Sequence, residues 1–468
     1  MAARDYDLII VGMGSGGMVA AEFAATLGVK VLVVERDRVG GDCLWTGCVP
    51  SKALLASAKA AHTLRHADKY GLEAVEPVID TAKVFARIRA IQQELATSDD
   101  SAERFEADGV EFRYGEATLT GPNAVSVDGE EISGRFILLC TGSRPSVPPI
   151  DGLADAGFLT SETLWDLERA PESLTFIGAG PIAVEMAQAF TRLGVRVTML
   201  DKADRILVRD EPSLSGRLLE LLRAEGVDVR LGVSIERVTV EGDEKVVHLA
   251  GGERVAAREL FVGAGRQPNV EGLGLESLGI EVTRRGVTTD DRMRTSVRSI
   301  YAAGDLAGRF LFTHSAGYEA ARAVRNMFFP GSSSGAFMVP WATFTDPELA
   351  HAGMTEAEAC EEHGDDDVRA WRQELTHSDR ARADSASEGA IVIVTAKGRI
   401  AGAHVLAPGA GELIHELALA IHKGLKLTEL ADLVHVYPTL SIGIQQLAGE
   451  ASFEGARKYR WLVRSSAA

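Results

Sequence analysis

Apolar and polar positions fall into blocks that predict the same three elements twice. An apolar run over residues 8–11 predicts a buried strand, a helical stretch follows, and a second apolar run ends at Glu35. The segment SLTFIGAGPIAVEMAQAFTRLGVRVTMLDK repeats this order, and its second strand ends at Asp201. Each copy therefore predicts a strand–helix–strand unit with parallel strands.

Glycines stand at the first turn of both copies, as G-x-G-x-x-G in the first and G-x-G-x-x-A in the second. Such glycines let a pyrophosphate approach the N–H groups of a helix N-terminus, while the acid ending the second strand accepts from a ribose hydroxyl. The first glycine and the acid are 23 positions apart in both copies, from 12 to 35 and from 178 to 201. This favours two dinucleotide sites over one site and one unit that only packs. The candidate residues are Gly12, Gly14, Gly17, Glu35, Gly178, Gly180, Ala183 and Asp201.

The rest of the chain is divided by its pattern. FILLCTGSRPSVPPIDG combines a strand, a turn at Gly142 and a proline cluster, and LFVGAGRQPNV, with Gly265, ends the second copy in a similar way. SIYAAGDLAGRFLFTHSAGYEAARAVRNMF predicts a strand, a turn at Asp305 and a long amphipathic helix, whereas the region from residue 337 has strands and helices without a glycine fingerprint. We expect an α/β chain with two Rossmann-like dinucleotide-binding domains and a C-terminal α+β domain. The expected segments are 1–145, 146–265, 266–336 and 337–468.

Composition excludes several classes of partner. With 49 Lys and Arg against 67 Asp and Glu, the chain has a formal net charge of −18, which argues against a nucleic-acid or anionic-membrane partner. No apolar run approaches the ~20 residues that a membrane span needs. The chain enters a strand by residue 7 without the hydrophobic core of a secretion signal. We therefore expect a cytoplasmic protein with no membrane span.

Two of the four cysteines, Cys43 and Cys48, stand close together in GGDCLWTGCVPSK. A structural disulfide is uncommon in a reducing cytoplasm. A four-ligand zinc site needs further Cys or His groups, whereas Cys140 and Cys360 are isolated. A redox pair is the leading interpretation, and we expect no resident metal site.

The spacing of this pair predicts an irregular backbone. In a regular helix, residues five apart are about 7.5 Å apart along the axis, which exceeds the roughly 7 Å between Cα atoms that a disulfide tolerates. Gly47 and Pro50 suit such a break, and Pro50 can begin the helix PSKALLASAKAAHTL. That helix would place Cys48 beside its N-terminus, where the pKa of a thiol is lowered.

The cysteine run, both glycine fingerprints and the YAAGD segment together resemble the flavoprotein pyridine nucleotide-disulfide oxidoreductases. This family includes dihydrolipoamide dehydrogenase, glutathione reductase and mercuric reductase. The resemblance covers nearly the whole chain, and the run over residues 40–52 is its most specific part. The segments TFTDPELA and GGDCLWTGCVPSK resemble the mercuric reductase branch most closely.

The resemblance implies two cofactors. FAD would bind the first fingerprint and NAD, or NADP, the second, while Asp305 would hold the flavin ribityl chain and residues 266–336 would complete the FAD domain. Gly142 and Gly265 would lie in cofactor-binding turns. Asp201 favours NADH because a carboxylate repels a 2′-phosphate, although Lys202 and Arg205 are near it in sequence and would weaken that preference.

The resemblance also implies roles in electron transfer. Cys48 would be the thiol next to the flavin, and Cys43 the thiol that meets the substrate. Lys52 and Glu185 would pair near the flavin. The C-terminal domain would form a homodimer interface and contribute residues to the partner's active site.

One segment departs from the family. Members that act on disulfides end in a motif like H-P-T-x-S-E, whose His, oriented by the Glu, moves protons to and from thiols. Here HVYPTLSIGIQ puts Tyr437 and Ile442 at these two positions, with His435 two residues earlier. Tyrosine, with a pKa of ~10, is a poor base at neutral pH. Mercuric reductases share this loss, but their vicinal C-terminal cysteine pair is absent from this sequence.

Three functions fit these observations. The first is a mercuric reductase-like enzyme that passes electrons from NAD(P)H through FAD and Cys43–Cys48 to a small acceptor: a metal ion, a quinone or a disulfide with an acidic leaving thiol. The second is a dihydrolipoamide dehydrogenase with altered proton transfer, which the missing His–Glu pair disfavours. The third is a redox-sensing flavoprotein, which the complete electron path disfavours.

Overall fold

The computed structural model describes residues 4–331, 335, 337–457 and 460–461. The helices are α1 Ser15–Thr26, α2 Gly41–Trp45, α3 Cys48–Arg65, α4 Thr81–Ala96, α5 Ala102–Ala107, α6 Leu153–Ala156, α7 Pro181–Arg192, α8 Pro212–Ala224, α9 Thr313–Phe328, α10 Glu356–His363, α11 Asp379–Ala383, α12 Ala410–Lys423 and α13 Ile442–Arg457.

The strands of the first half are β1 Tyr6–Val11, β2 Val31–Glu35, β3 Val110–Tyr114, β4 Ala117–Gly121, β5 Ala124–Val127, β6 Glu130–Leu139, β7 Ser143–Pro145, β8 Ser173–Ile177, β9 Arg196–Leu200 and β10 Asp228–Arg230. Those of the second half are β11 Ile235–Glu241, β12 Glu244–Leu249, β13 Arg254–Ala257, β14 Glu259–Val262, β15 Arg266–Pro268, β16 Val282–Thr283, β17 Gly286–Val287, β18 Ile300–Ala302, β19 Trp341–Thr343, β20 Glu348–Gly353, β21 Val368–Glu374, β22 Ala390–Ala396 and β23 Arg399–Ala407.

The chain forms two compact units, the first within residues 1–54, 80–170 and 259–337. Its parallel sheet has the order β3-β2-β1-β6-β18, and β4 and β5 extend β6 as antiparallel strands. Apolar side chains cover both faces of this sheet, as is typical of parallel sheets, in which both faces are buried. Helix α1 packs against α9 on one face. The predicted strand–helix–strand unit is confirmed as β1–α1–β2, with Leu8 paired to Val31.

The second unit lies within residues 55–79, 171–258 and 338–468. It contains the second predicted copy as β8–α7–β9, with β10 parallel to β9 and a separate antiparallel sheet of β11, β12 and β13. Its C-terminal part has an antiparallel sheet of order β19-β20-β23-β22-β21, with α12 and α13 contributing to the apolar core on one face. Among the described helices, none is long and apolar enough to cross a membrane.

Candidate active site

The first glycine turn is shaped by close backbone contacts. Gly12 has φ of +95°, and a Cβ there would lie 2.6 Å from the Cys140 carbonyl oxygen. A Cβ at Gly17 would lie 2.0 Å from the Gly12 oxygen, so the first turn of α1 needs glycine at this position. A Cβ at Gly14 would meet only the Gly41 Cα, 3.9 Å away, and no side chain caps the helix. The uncapped N–H groups of α1 therefore fit an anion such as a pyrophosphate.

Glu35 fixes the shape of the same turn. Its buried carboxylate accepts from the Met13 N–H at 2.7 Å and from the Asp37 N–H at 2.8 Å. A carboxylate has about four acceptor sites. Two remain for the hydroxyl groups of a ribose, so the residues present fit a dinucleotide.

The second glycine turn has the same construction. Gly178 has φ of +115°, a Cβ at Gly180 would meet nothing within 4 Å, and no side chain caps α7. Asp201 accepts from the Ala179 N–H at 2.6 Å and from the Ala203 N–H at 2.7 Å. Ala183 is fully buried in α7. This turn also fits a dinucleotide.

The two basic residues near Asp201 differ in their surroundings. Arg205 donates to the carbonyl of Asp210 at 2.9 Å and to the carbonyl of Val208. The guanidinium is thereby held by backbone oxygens, whereas Lys202 is exposed.

Gly142 and Gly265, both with positive φ, flank a short two-stranded sheet of β7 and β15. The Gly142 carbonyl accepts from the Asn269 N–H at 3.0 Å, and the Gly265 carbonyl accepts from the Ser146 N–H at 2.9 Å. Each glycine therefore holds one end of the β7–β15 sheet in the first unit. Their direct contact with a cofactor stays a prediction.

Cys43 and Cys48 are both free thiols and lie in different helices. Cys43 is in α2 and Cys48 is the first residue of α3, so the predicted irregular segment is present between the helices. The helix begins at Cys48 instead of at Pro50, because the first turn needs no N–H donor and tolerates proline. A Cβ at Gly47 would lie 2.9 Å from the Asp42 carbonyl oxygen, which explains the glycine between them.

The two thiols differ in acidity. Hydrogen bonding with Cys43 lowers the pKa of the Cys48 thiol, and the Thr313 hydroxyl and the Lys52 charge act in the same direction, while burial opposes them. The same hydrogen bond raises the pKa of the Cys43 thiol, and burial adds to this effect. The Thr313 Oγ1 atom lies 3.2 Å from the Cys48 Sγ atom. These effects favour a thiolate on Cys48 and a proton on Cys43 in the reduced pair.

Two long side chains hold the end of α2. Gln92 donates from Nε2 to the Leu44 carbonyl at 3.2 Å and to the Trp45 carbonyl at 2.7 Å. Trp165 donates from Nε1 to the Thr46 carbonyl at 2.8 Å. These bonds satisfy carbonyls that the short helix leaves unpaired and fix the backbone next to Cys43.

Asp305 lies in a polar cluster of the first unit. Its Oδ2 atom accepts from the Ser143 hydroxyl at 2.5 Å and lies 3.4 Å from the Arg266 Nε atom. Burial raises the pKa of the Asp305 carboxyl, and the Ser143 bond and Arg266 oppose this effect. Asp305 lies in the turn between β18 and α9, after a strand and before a long helix as the sequence predicts.

Glu185 is buried in α7, and its Oε1 atom accepts from the Phe344 N–H at 2.8 Å. Lys52 lies in the second turn of α3. The predicted pairing of Lys52 with Glu185 stays a prediction.

Tyr437 has a carboxylate partner that the sequence did not reveal. Its hydroxyl donates to the Asp379 Oδ2 atom at 2.8 Å, and this bond raises the pKa of the phenol. Ile442 begins α13. His435 has other partners, because its Nε2 atom lies 2.9 Å from Glu416 Oε1 and its ring is almost fully covered.

Sequence reasoning missed Thr313, Arg266 and Asp379, which contact Cys48, Asp305 and Tyr437 across 265, 39 and 58 positions. Arg266 directly follows the segment GAG, and Thr313 directly follows the segment GRFLF. Neither segment contains a local pattern that indicates a contact with a site residue. Among the described residues, no group of three or more His, Cys, Asp or Glu side chains could hold a metal ion.

Comparison with known proteins gives a consistent family. The model of the pyridine nucleotide-disulphide oxidoreductases matches residues 6–320, and the model of their dimerisation domain matches residues 339–448. A mercuric reductase of Bacillus cereus is 33% identical over 94% of this chain and 70% of its own length. A dihydrolipoyl dehydrogenase of Thermus scotoductus is 35% identical over 95% of this chain and 97% of its own.

Solved structures support the same relationship. The HOCl-induced flavoprotein disulfide reductase RclA of Escherichia coli is similar with a TM-score of 0.84 and 28% identity, over 95% of this chain and 99% of its own. Its Cu(II) complex is similar with a TM-score of 0.84 and 26% identity, over 96% and 99%. The predicted fold class, with two dinucleotide-binding regions and a C-terminal dimerisation domain, is confirmed. The chain belongs to the class I pyridine nucleotide-disulfide oxidoreductases and is an FAD-dependent, NAD(P)H-dependent disulfide oxidoreductase with a dimerisation domain.

Proposed function

We propose that this enzyme transfers electrons from NADH through the Cys43–Cys48 pair to a metal ion, with Cu(II) as the first acceptor to test. The observation that carries this proposal is the bond from the Tyr437 hydroxyl to Asp379. Tyr437 occupies the position at which disulfide-reducing relatives need a base. Relatives named mercuric reductase and a neighbour solved as a Cu(II) complex support a metal acceptor.

Residues of the first unit would bind FAD and stabilise the thiolate of the reduced pair. Bound FAD supplies two-electron transfer between the nicotinamide and the cysteine pair. The uncapped end of α1 and the Glu35 carboxylate would hold its dinucleotide part, and Asp305, oriented by Ser143, would hold its ribityl chain. Thr313 and Lys52 stabilise the thiolate on Cys48, and Cys43 keeps the one proton of the reduced pair.

Proton transfer separates the possible acceptors. Oxidation of the reduced pair to a disulfide releases two electrons and the single proton held on Cys43. A thiol or disulfide substrate needs a group near neutral pKa to move this proton, which is typically worth 10²–10⁴-fold in rate. The Tyr437 phenol, whose pKa Asp379 raises, cannot serve. Two Cu(II) ions take up the two electrons and become two Cu(I) ions without binding a proton. The proton released from Cys43 then goes to water.

Homodimer formation and the use of NADH complete the proposal. The C-terminal segment exposes large apolar side chains, as expected for an interface, at Leu433, Val434, Val436 and Phe453. Asp201 favours NADH, and of the two basic residues that closely follow it, Lys202 and Arg205, the second is held by backbone carbonyls. The negative net charge and the lack of any membrane-length helix among the described residues suit a cytoplasmic setting.

The decisive experiment compares Cu(II) and dihydrolipoamide as substrates. Wild-type enzyme should reduce Cu(II) with NADH and oxidise dihydrolipoamide with NAD⁺ at least 100-fold more slowly, by the usual worth of a base. The double variant Tyr437→His with Ile442→Glu should gain dihydrolipoamide activity, and Tyr437→Phe is the matched control that should not. Efficient dihydrolipoamide oxidation by wild type, lost in His435→Ala, would instead establish a dihydrolipoamide dehydrogenase.

A further inference from the structure

A carboxylate directly precedes Cys43 in helix α2. Asp42 accepts from the Thr46 hydroxyl through Oδ1 at 2.5 Å, and its Oδ2 atom lies 3.2 Å from the Arg266 Nη2 atom. Thr46 and Arg266 thus hold the carboxylate on both sides, within the helix that carries the substrate-facing thiol. The Asp42 side chain is 43% exposed.

Arg266 compensates this charge only in part. Its side chain is 12% exposed, and the guanidinium also binds the Ser143 hydroxyl at 2.7 Å and lies 3.4 Å from the Asp305 carboxylate. One cation therefore serves two carboxylates. The Asp42 carboxylate therefore keeps part of its electrostatic effect on the thiols, because Arg266 is shared between Asp42 and Asp305.

This charge acts on the reduced pair. Beyond the bond between the two thiols and their burial, Asp42 raises the pKa of both the Cys43 and the Cys48 thiol. Lys52 and the Thr313 hydroxyl act on Cys48 in the opposite direction. The oxidised pair carries no charge and is indifferent to the carboxylate. Asp42 therefore destabilises the reduced state relative to the disulfide.

We propose that Asp42, partly neutralised by Arg266, lowers the reduction potential of the Cys43–Cys48 couple and so makes the reduced pair a stronger electron donor. The proposal rests on the redox role of this pair. The half-reaction is the disulfide plus two electrons plus one proton, giving the Cys43 thiol and the Cys48 thiolate. Because one negative charge appears on reduction, a neighbouring carboxylate opposes it and a neighbouring guanidinium assists it.

The test is an equilibrium measurement on the FAD-loaded enzyme. Enzyme is equilibrated with mixtures of reduced and oxidised dithiothreitol, quenched with acid, and its thiols are counted by maleimide labelling and mass spectrometry. Each reaction converts one disulfide and one dithiothreitol into one thiol, one thiolate, one proton and one cyclic disulfide. For Asp42→Asn we expect the equilibrium constant for reduction to rise about tenfold, or about 30 mV for a two-electron couple.

Three further variants make the test specific. Asp42→Thr, whose hydroxyl can still bond locally, should show the same rise and serves if the amide variant folds poorly. Arg266→Met should lower the constant, since it leaves Asp42 uncompensated. Glu130→Gln removes one charge from the same unit at an exposed pair with Arg113 and should leave the constant within about twofold of wild type.

The outcomes separate this inference from the proposed function. If dithiothreitol changes no thiols at positions 43 and 48, the redox role of the pair fails. If the pair cycles but Asp42→Asn and Asp42→Thr leave the constant within twofold of Glu130→Gln, the role of Asp42 is refuted while the redox role stands. Cys48 in a Cys43→Ser background gives an independent readout, because its iodoacetamide reactivity should reach half-maximum at lower pH when Asp42→Asn is added.

Discussion

The two glycine turns share one sequence pattern but differ in how closely their helix and strand pack. In both, an acid at the end of the second strand accepts from the turn, Glu35 from the Met13 N–H and Asp201 from the Ala179 N–H. The turns differ at the third fingerprint position. Gly17 leaves no room for a methyl group, whereas Ala183 carries one inside α7. The acid and the first glycines therefore define the turn, and the third position only sets how closely helix and strand approach.

Exchanging the third residue should give the largest difference between the turns. Gly17→Ala forces a Cβ to within 2.0 Å of the Gly12 oxygen, so we expect loss of bound FAD and about 3 kcal/mol less unfolding free energy, as for severe overpacking. Ala183→Gly should cost about 1 kcal/mol, the usual helix penalty, and keep the yellow colour. Urea unfolding and flavin absorbance measure both. Equal losses in the two variants would contradict the difference in tightness.

Removing the two acids should separate the two cofactors. Each acid accepts two hydrogen bonds from backbone N–H groups, and loss of bonds to a charged group is worth about 1.5–3 kcal/mol. Glu35→Ala should weaken FAD binding about tenfold to 100-fold, measured by flavin release on dilution. Asp201→Ala should leave the flavin content unchanged and raise the KM for NADH by a similar factor. Flavin loss in Asp201→Ala would show that the two turns are not independent.

Cofactor choice should depend on the surroundings of the second turn. Wild-type enzyme should favour NADH over NADPH about tenfold in kcat/KM, because Asp201 repels a 2′-phosphate by roughly the 1.4 kcal/mol of a tenfold effect. Lys202→Ala should widen this ratio slightly. Arg205 bonds backbone carbonyls, so it should not attract the phosphate. A preference for NADPH in wild type would refute the assignment of Asp201.

The smallest expected effect concerns the thiol pair, which belongs to the unit of the first turn and has no counterpart beside the second. The Thr313 hydroxyl lowers the pKa of the Cys48 thiol, so Thr313→Val should raise the pH at which its thiolate forms. In the Cys43→Ser background, the long-wavelength band of a thiolate beside oxidised flavin should appear about one pH unit later and vanish in Cys48→Ser. Thr191→Val, in the second unit, is the matched control. An unchanged midpoint in Thr313→Val would remove Thr313 from the site.

Local features of the sequence predicted the turns and the helix break of the candidate site. The glycine turns, their acids and the break between Cys43 and Cys48 depend on neighbouring residues, and the structure contains each of them. The start of α3 was expected at Pro50, because proline often begins a helix, but a first turn accepts it at a later position as well.

Contacts between distant segments could not be predicted in this way. Thr313 lies 265 positions from Cys48, and Asp379 lies 58 positions from Tyr437. The expectation that the carboxylate of the family motif is lost at Ile442 holds for that position, yet Asp379 brings another carboxylate to Tyr437 from α11. Only the folded chain brings such residues together, since neither has a distinctive local pattern.

The bonds from Gln92 and Trp165 to the end of α2 have a consequence for the speed of the redox cycle. They hold the carbonyl groups of Leu44, Trp45 and Thr46, so we expect the backbone beside Cys43 to move little when the oxidation state changes. Disulfide and dithiol should then interconvert mainly by rotation about side-chain bonds. Such a cycle requires little movement of the surrounding atoms, so electron transfer through the thiol pair should be fast.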